Sequence, residues 1–137
     1  MPLLLAAATF LSLAADPDWR RVTASARTRT YIDHASIRGE GILTADSFSA
    51  VLAILPDNPI RYTRITARYD CAAHRVQVLV FIGYGADRAE LINTSETERS
   101  DWGEPGPGTD AAKLIDYVCG VDRDKAVPAA DPWTDTP

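Results

Sequence analysis

The sequence predicts an α+β domain, an antiparallel β-sheet of about six strands with one C-terminal helix packed on a face. Three observations carry that expectation. Residues 19–92 hold runs that alternate apolar and polar side chains, joined by short turns, which is antiparallel connectivity. One stretch of helical period follows, from Thr109 to Cys119, and stops at Gly120, the residue type favoured just past a helix end. The two cysteines, Cys71 and Cys119, fall at the end of a strand and on the apolar face of that helix.

Taken in order, Trp19–Ala24 and Arg29–Asp33 read as short strands, with a turn or bulge over Asp33–Arg38. Gly39-Glu40-Gly41 opens a long alternating run that reaches Leu55, and Pro56-Asp57-Asn58-Pro59 is a strong turn signal. The strand Ile60–Cys71 puts Ile65, Ala67, Tyr69 and Cys71 on one face and Arg64, Thr66, Arg68 and Asp70 on the other. A tight connection, Ala72-Ala73-His74, leads into Arg75–Tyr84, where Val76, Val78, Val80, Ile82 and Tyr84 form an apolar stripe. Ala89–Ile92 is a weaker strand, and the polar, Gly- and Pro-rich stretch Thr94–Gly108 is a loop. Thr109 or Asp110 caps the helix, whose Ala111, Leu114, Ile115, Val118 and Cys119 share one face. The tail, Val121–Pro137, is rich in proline and aspartate and is expected to be unstructured.

At 137 residues, 46% hydrophobic and 24% charged, the chain is one globular domain. The run Leu3–Leu11, followed by small residues at alternate positions, Ser12 and Ala14, has the form of a signal peptide cleaved after Ala14 and is too short to span a bilayer. The expected organisation is a signal peptide over 1–14, a domain over 15–120 and a tail over 121–137, in an exported protein, periplasmic or secreted. No cysteine stands at the cleavage point, so no lipid anchor is expected, and no membrane span. In an oxidising compartment Cys71 and Cys119 pair, and strand parity and helical phase aim both into the same helix-on-sheet interface.

A net charge of −5 excludes nucleic acid as a partner, because phosphate recognition needs a basic field. The charge is uneven: residues 19–75 hold nine Arg/Lys against five Asp/Glu, and residues 76–137 hold five against twelve. The only histidines, His34 and His74, suggest no metal site, and nothing in the pattern asks for a cofactor. Asp33, His34 and Ser36 have the residue types of a catalytic triad but lie within four positions, where bonding to local backbone is the expected role. Gly83-Tyr84-Gly85 lacks the strand-to-helix context of a nucleotide loop, and Asn93-Thr94-Ser95 matches a glycosylation sequon, expected to be without consequence behind a leader of bacterial type. Trp102 is expected as core or lid packing over the helix.

Two surface features stand out as a candidate partner or ligand face. Arg61, Arg64 and Arg68 with Tyr62 make a basic-aromatic strand face that suits an anionic ligand, or that pairs with acidic neighbours across the sheet. Leu79 and Phe81 sit opposite the main apolar stripe, as isolated exposed residues or as a dimer contact.

The blocks Trp19-Arg20-Arg21-Val22, Thr30–Arg38, Tyr69-Asp70-Cys71, Trp102 and Leu114–Cys119, in that order and spacing, resemble the surface-adhesin protein E family over Trp19–Cys119. The resemblance implies a bent antiparallel sheet with a C-terminal helix tethered across it by a disulfide. It also implies binding of host extracellular-matrix and plasma proteins, and the capacity to dimerise. The family's founding type is a lipoprotein, and this chain departs from it in having no lipid-attachment cysteine. The functional expectation is therefore a non-enzymatic envelope or secreted interaction module, binding a protein partner or a second copy. The alternative is a periplasmic small-ligand binder or hydrolase with a site between helix and sheet.

Overall fold

The computed structural model describes residues 16–94 and 100–136, so the expected leader lies outside the described residues. Eight strands form one antiparallel sheet: β1 Trp19–Ala24, β2 Thr28–Asp33, β3 Arg38–Glu40, β4 Ile42–Val51, β5 Tyr62–Asp70, β6 Arg75–Tyr84, β7 Glu90–Asn93 and β8 Val127–Pro128. Their order is β7-β6-β5-β4-β2-β1-β8, and β3 pairs with β4 as a small side hairpin. Among the described residues there is one α-helix, α1, spanning Asp110–Val118. The sheet thus exceeds the expected strand count by β3 and β8, two elements too short to show a period.

The side chains follow strand parity. Ile32, Ala45, Ala67 and Tyr69 lie on one face, the inner one, and pack against Ile115, Tyr117 and Val118 of α1. Thr109 caps the helix by accepting from the Ala112 amide at 3.2 Å. At the other end the Arg123 guanidinium donates to the carbonyls of Tyr117 and Val118, both at 2.8 Å, satisfying groups a helix end leaves open. Cys71 and Cys119 are bonded, with Cα atoms 5.6 Å apart, at the point where β5 ends and α1 ends. The His74 ring, in the turn beside that bond, meets Asp116 of the helix at 3.1 Å.

Several expectations are corrected. The run from Gly39 ends as strand at Val51, because the Leu52 and Ala53 amides both turn to the Arg27 carbonyl and leave the ladder. The stripe along β6 is not on one face. Thr66 pairs with Val80 but Ala67 pairs with Val78, so Leu79 is an extra residue and the parity flips there. Val76 and Val78 therefore face the helix, whereas Val80, Ile82 and Tyr84 register with Thr66, Arg64 and Tyr62 on the outer face. The tail is not unstructured. Val127 and Pro128 pair with β1, and Ala129 and Trp133 join an apolar cluster on the outer face. Trp102 is not over the helix: Ser100–Gly103 runs along the lower edge of β6, with Gly103 and Val76 exchanging two hydrogen bonds of 2.9 Å. Trp102 stacks on the outer face, against Arg68 and Arg75.

Closing a loop across a sequence separation of 48 residues removes, on the chain-entropy model, about 4 kcal/mol of freedom from the unfolded chain. The double substitution Cys71→Ala, Cys119→Ala should lower unfolding free energy by up to that amount in urea titration. The unreduced native protein should give no labelling by a thiol reagent.

Candidate functional site

The outer face is where this chain's unabsorbed chemistry gathers. Trp19 of β1, Tyr31 of β2, Phe48 and Ala50 of β4 and Tyr62 of β5 form an aromatic floor, because each occupies the outward parity of its strand. The C-terminal segment crosses that floor. Trp133 sets its ring 4.9 Å from Phe48, 4.9 Å from Tyr62 and 5.0 Å from Tyr84, in edge or tilted contacts. The Arg88 guanidinium lies 5.3 Å above the Trp133 ring. Asp131 shapes the approach by accepting from the Trp133 amide at 3.0 Å, while its carbonyl accepts from the Asp135 amide at 3.0 Å.

The segment ends in a carboxylate clamp. One Asp135 oxygen accepts from Arg21 at 2.8 Å and from the Tyr31 hydroxyl at 2.7 Å. Arg29 donates to the same hydroxyl at 3.1 Å. Burial works to raise the Asp135 carboxyl, but the bonds from Tyr31 and Arg21 and the charges of Arg21 and Arg29 outweigh it, holding the group below its ordinary value. Burial and the bond to Asp135 push Tyr31 up to about 12. Beside Trp133 a cavity of about 200 Å³ remains, bounded by Pro17, Trp19, Phe48, Arg64 and Pro132.

Arginines cover tryptophans across the rest of the face. Arg64 lies 5.9 Å over Trp19, Arg68 lies 5.4 Å over Trp102 and Arg75 lies 4.8 Å over the same ring. Of the candidate face read from sequence, Tyr62, Arg64 and Arg68 share this face, the last also 3.3 Å from Gln77. Arg61 precedes β5 and closes its loop, donating to the carbonyls of Asn58 at 2.6 Å and Ile60 at 3.0 Å. Leu79 is buried at the bulge, and Phe81 registers with Ile65 on the helix side. Sequence reasoning missed Trp133 and Asp135. A tryptophan in an otherwise polar tail was the available signal, since so large an apolar ring is seldom left wholly in water.

The triad-like residues are committed to structure. Asp33 accepts from the amides of Asp18 at 2.8 Å and Ala35 at 3.1 Å, and Ser36 donates to the Asp33 carbonyl at 2.7 Å while accepting from the Asp46 amide at 2.8 Å. His34 meets the Tyr117 hydroxyl at 2.9 Å instead of Ser36. A separate cleft of about 270 Å³ lies between α1 and the segment after it, bordered by Val22, Lys113, Tyr117, Val121 and Lys125. Among the described residues no cluster of His, Cys, Asp or Glu is arranged to hold a metal ion.

A family model described as surface-adhesin protein E matches residues 19–120. The fold is similar to that of Haemophilus influenzae protein E in its second crystal form, at 16% identity and a TM-score of 0.53, over 77% of this chain and 89% of that one. A second structure, protein E of non-typeable Haemophilus influenzae, aligns at 17% identity and a TM-score of 0.46, over 82% and 87% of the two chains. No curated protein matches by sequence.

The clamp makes stability depend on both ends of the pH scale. The depressed Asp135 group contributes stability that is complete above its ordinary value of 3.8 and is lost as pH falls through its lower folded value. Tyr31, raised from 10.0 to about 12, contributes stability that is complete below 10.0 and is lost as pH rises through about 12. Thermal melts against pH should show both limbs, and Asp135→Asn should flatten the acid one and cost roughly 1–3 kcal/mol at neutral pH. Trp133→Ala should cost roughly 2–3 kcal/mol, less than the 3–5 of a fully buried aromatic.

Proposed function

The chain belongs to the surface-adhesin protein E family, and from that premise we propose that it is an exported, non-enzymatic interaction module that works by binding a protein. The observation that carries this reading is the extent of the family match, residues 19–120, which takes in β1–β7, α1 and the Cys71–Cys119 bond. Host extracellular-matrix and plasma proteins are the partner class that membership implies. The apolar stretch before Asp16 and the disulfide support export, to the periplasm or beyond the cell. Among the described residues no helix is long and apolar enough to cross a membrane.

The contact surface we assign is the outer face around Arg64 and Arg68. Cations stacked on indoles offer a partner flat aromatic area and charge together, the chemistry common in interface anchors. A ligand site between helix and sheet, the alternative, has less support. Ile32, Ala45, Ala67, Ile115 and Val118 fill that interface, and the cleft of about 270 Å³ lies beside the helix rather than under it.

The test is solid-phase binding of the purified protein to a panel of immobilised extracellular-matrix and plasma proteins, alongside fractionation of the producing cell. Saturable binding to a member of the panel, weakened by Arg64→Glu with Arg68→Glu, is the expected result. A folded protein that binds none of them, or one retained in the cytosol with Met1 intact, would sink the reading.

A second copy is favoured as a further partner by one observation. Edge strand β7 has no strand beyond it among the described residues and exposes Leu91 and Ile92, 48% and 45% accessible. Sedimentation should then report a dimer that Leu91→Lys converts to monomer.

A further inference from the structure

The family match stops at residue 120, yet residues 127–136 lie in contact with the sheet. What residues 127–136 cover is therefore surface of the family domain, and they cover it as a bound peptide would. Three contacts make the likeness. Val127 and Pro128 add a strand to the outer edge of β1, and the Ala129 amide continues it by donating to the Trp19 carbonyl at 2.9 Å. An aromatic anchor, Trp133, enters a box walled by Phe48, Tyr62 and Tyr84 and roofed by Arg88. Two positions on, a carboxylate is read by Arg21 and the Tyr31 hydroxyl. Strand addition at an edge with pockets for chosen side chains is a recurring mode of peptide recognition.

We propose that the outer face is a peptide-docking groove, held in cis by residues 127–136, which accepts in their place an extended segment of a partner protein carrying an aromatic residue and a carboxylate two positions later. The proposal deepens the interaction-module reading and rests on it, naming a site and a ligand chemistry. Charge supports the pairing. Arg21 meets the segment's carboxylate and Arg88 its ring, Arg29 backs the Tyr31 hydroxyl that donates to the same carboxylate, and the segment brings Asp131 and Asp135. The tether from Gly120 to Ala126 is short, so the cis segment competes at an effective concentration in the millimolar range. A partner segment displaces it only by binding more tightly or by engaging a second surface, such as the neighbouring Arg64 and Arg68, at the same time.

The experiment uses the full chain with the cis anchor disabled, Trp133→Ala with Asp135→Ala. Its probe is a fluorescein-labelled peptide of residues 127–136 followed by anisotropy. The variant should bind the peptide saturably, the unsubstituted chain about tenfold or more weakly, and a peptide bearing Trp133→Ala should bind neither. A variant that keeps its circular dichroism and its disulfide yet binds no peptide overturns the proposal.

Should the variant not fold, native-state hydrogen exchange on the unsubstituted chain decides. The Ala129 and Asp135 amides should exchange by local opening, faster than the core, and exchange only through global unfolding overturns the proposal. If the peptide binds neither form, saturable binding to the matrix and plasma panel through Arg64 and Arg68 can still stand, so failure of the groove and failure of the adhesin reading are distinguishable.

Discussion

Tyr31 and Ile32 are consecutive residues of β2, both fully buried, and they point to opposite faces of the sheet. A strand buried on both sides needs a cover on each. The helix supplies one, laying Ile115 and Val118 against Ile32, and the C-terminal segment supplies the other, laying Trp133 over the floor beside Tyr31. The whole arrangement depends on this two-sided burial. A single layer of strands with one covered face would leave Tyr31, Phe48 and Trp19 in water, an apolar surface that single domains avoid unless a partner takes it.

Much of this was legible. Period-two alternation located β1, β2, β4, β5 and β6, because half-buried strands must alternate, and the Thr109 cap and Gly120 stop bounded the helix. The disulfide followed from strand parity and helical phase together. What failed did so for physical reasons. A bulge such as the one at Leu79 leaves little compositional mark, yet it moves Val80, Ile82 and Tyr84 to the other face and takes Leu79 and Phe81 out of the proposed contact surface. Arg61 was grouped with Arg64 although the two differ in parity, and its own loop consumes it. The tail was misread because composition averages over residues. Its prolines and aspartates signal disorder, while order comes from one indole and one carboxylate with specific partners elsewhere.

The electrostatics of the outer face follow from the same geometry. The first half of the chain carries the arginines and the second half the acids, and Arg21 with Asp135 links the two in a partly buried pair. Elsewhere on the face cations rest on indoles as well as on carboxylates, Arg64 on Trp19 and Arg68 on Trp102. A guanidinium over a ring keeps N–H donors that the ring does not use, so it remains able to meet a carboxylate brought by another chain.

The two covers differ in how they are held, and that difference bears on function. The helix is bonded covalently to the end of β5 and capped at both ends, so it leaves the sheet only when the domain unfolds. The C-terminal segment is held by two paired strand residues, one ring and one carboxylate, contacts that can break together while the sheet and helix stay folded. One sheet thus carries a permanent lid on the face that makes the core and a non-covalent one on the face that carries the arginines. Under the proposed interaction role, the second is the face where an intramolecular contact is traded for an intermolecular one that covers the same aromatic floor.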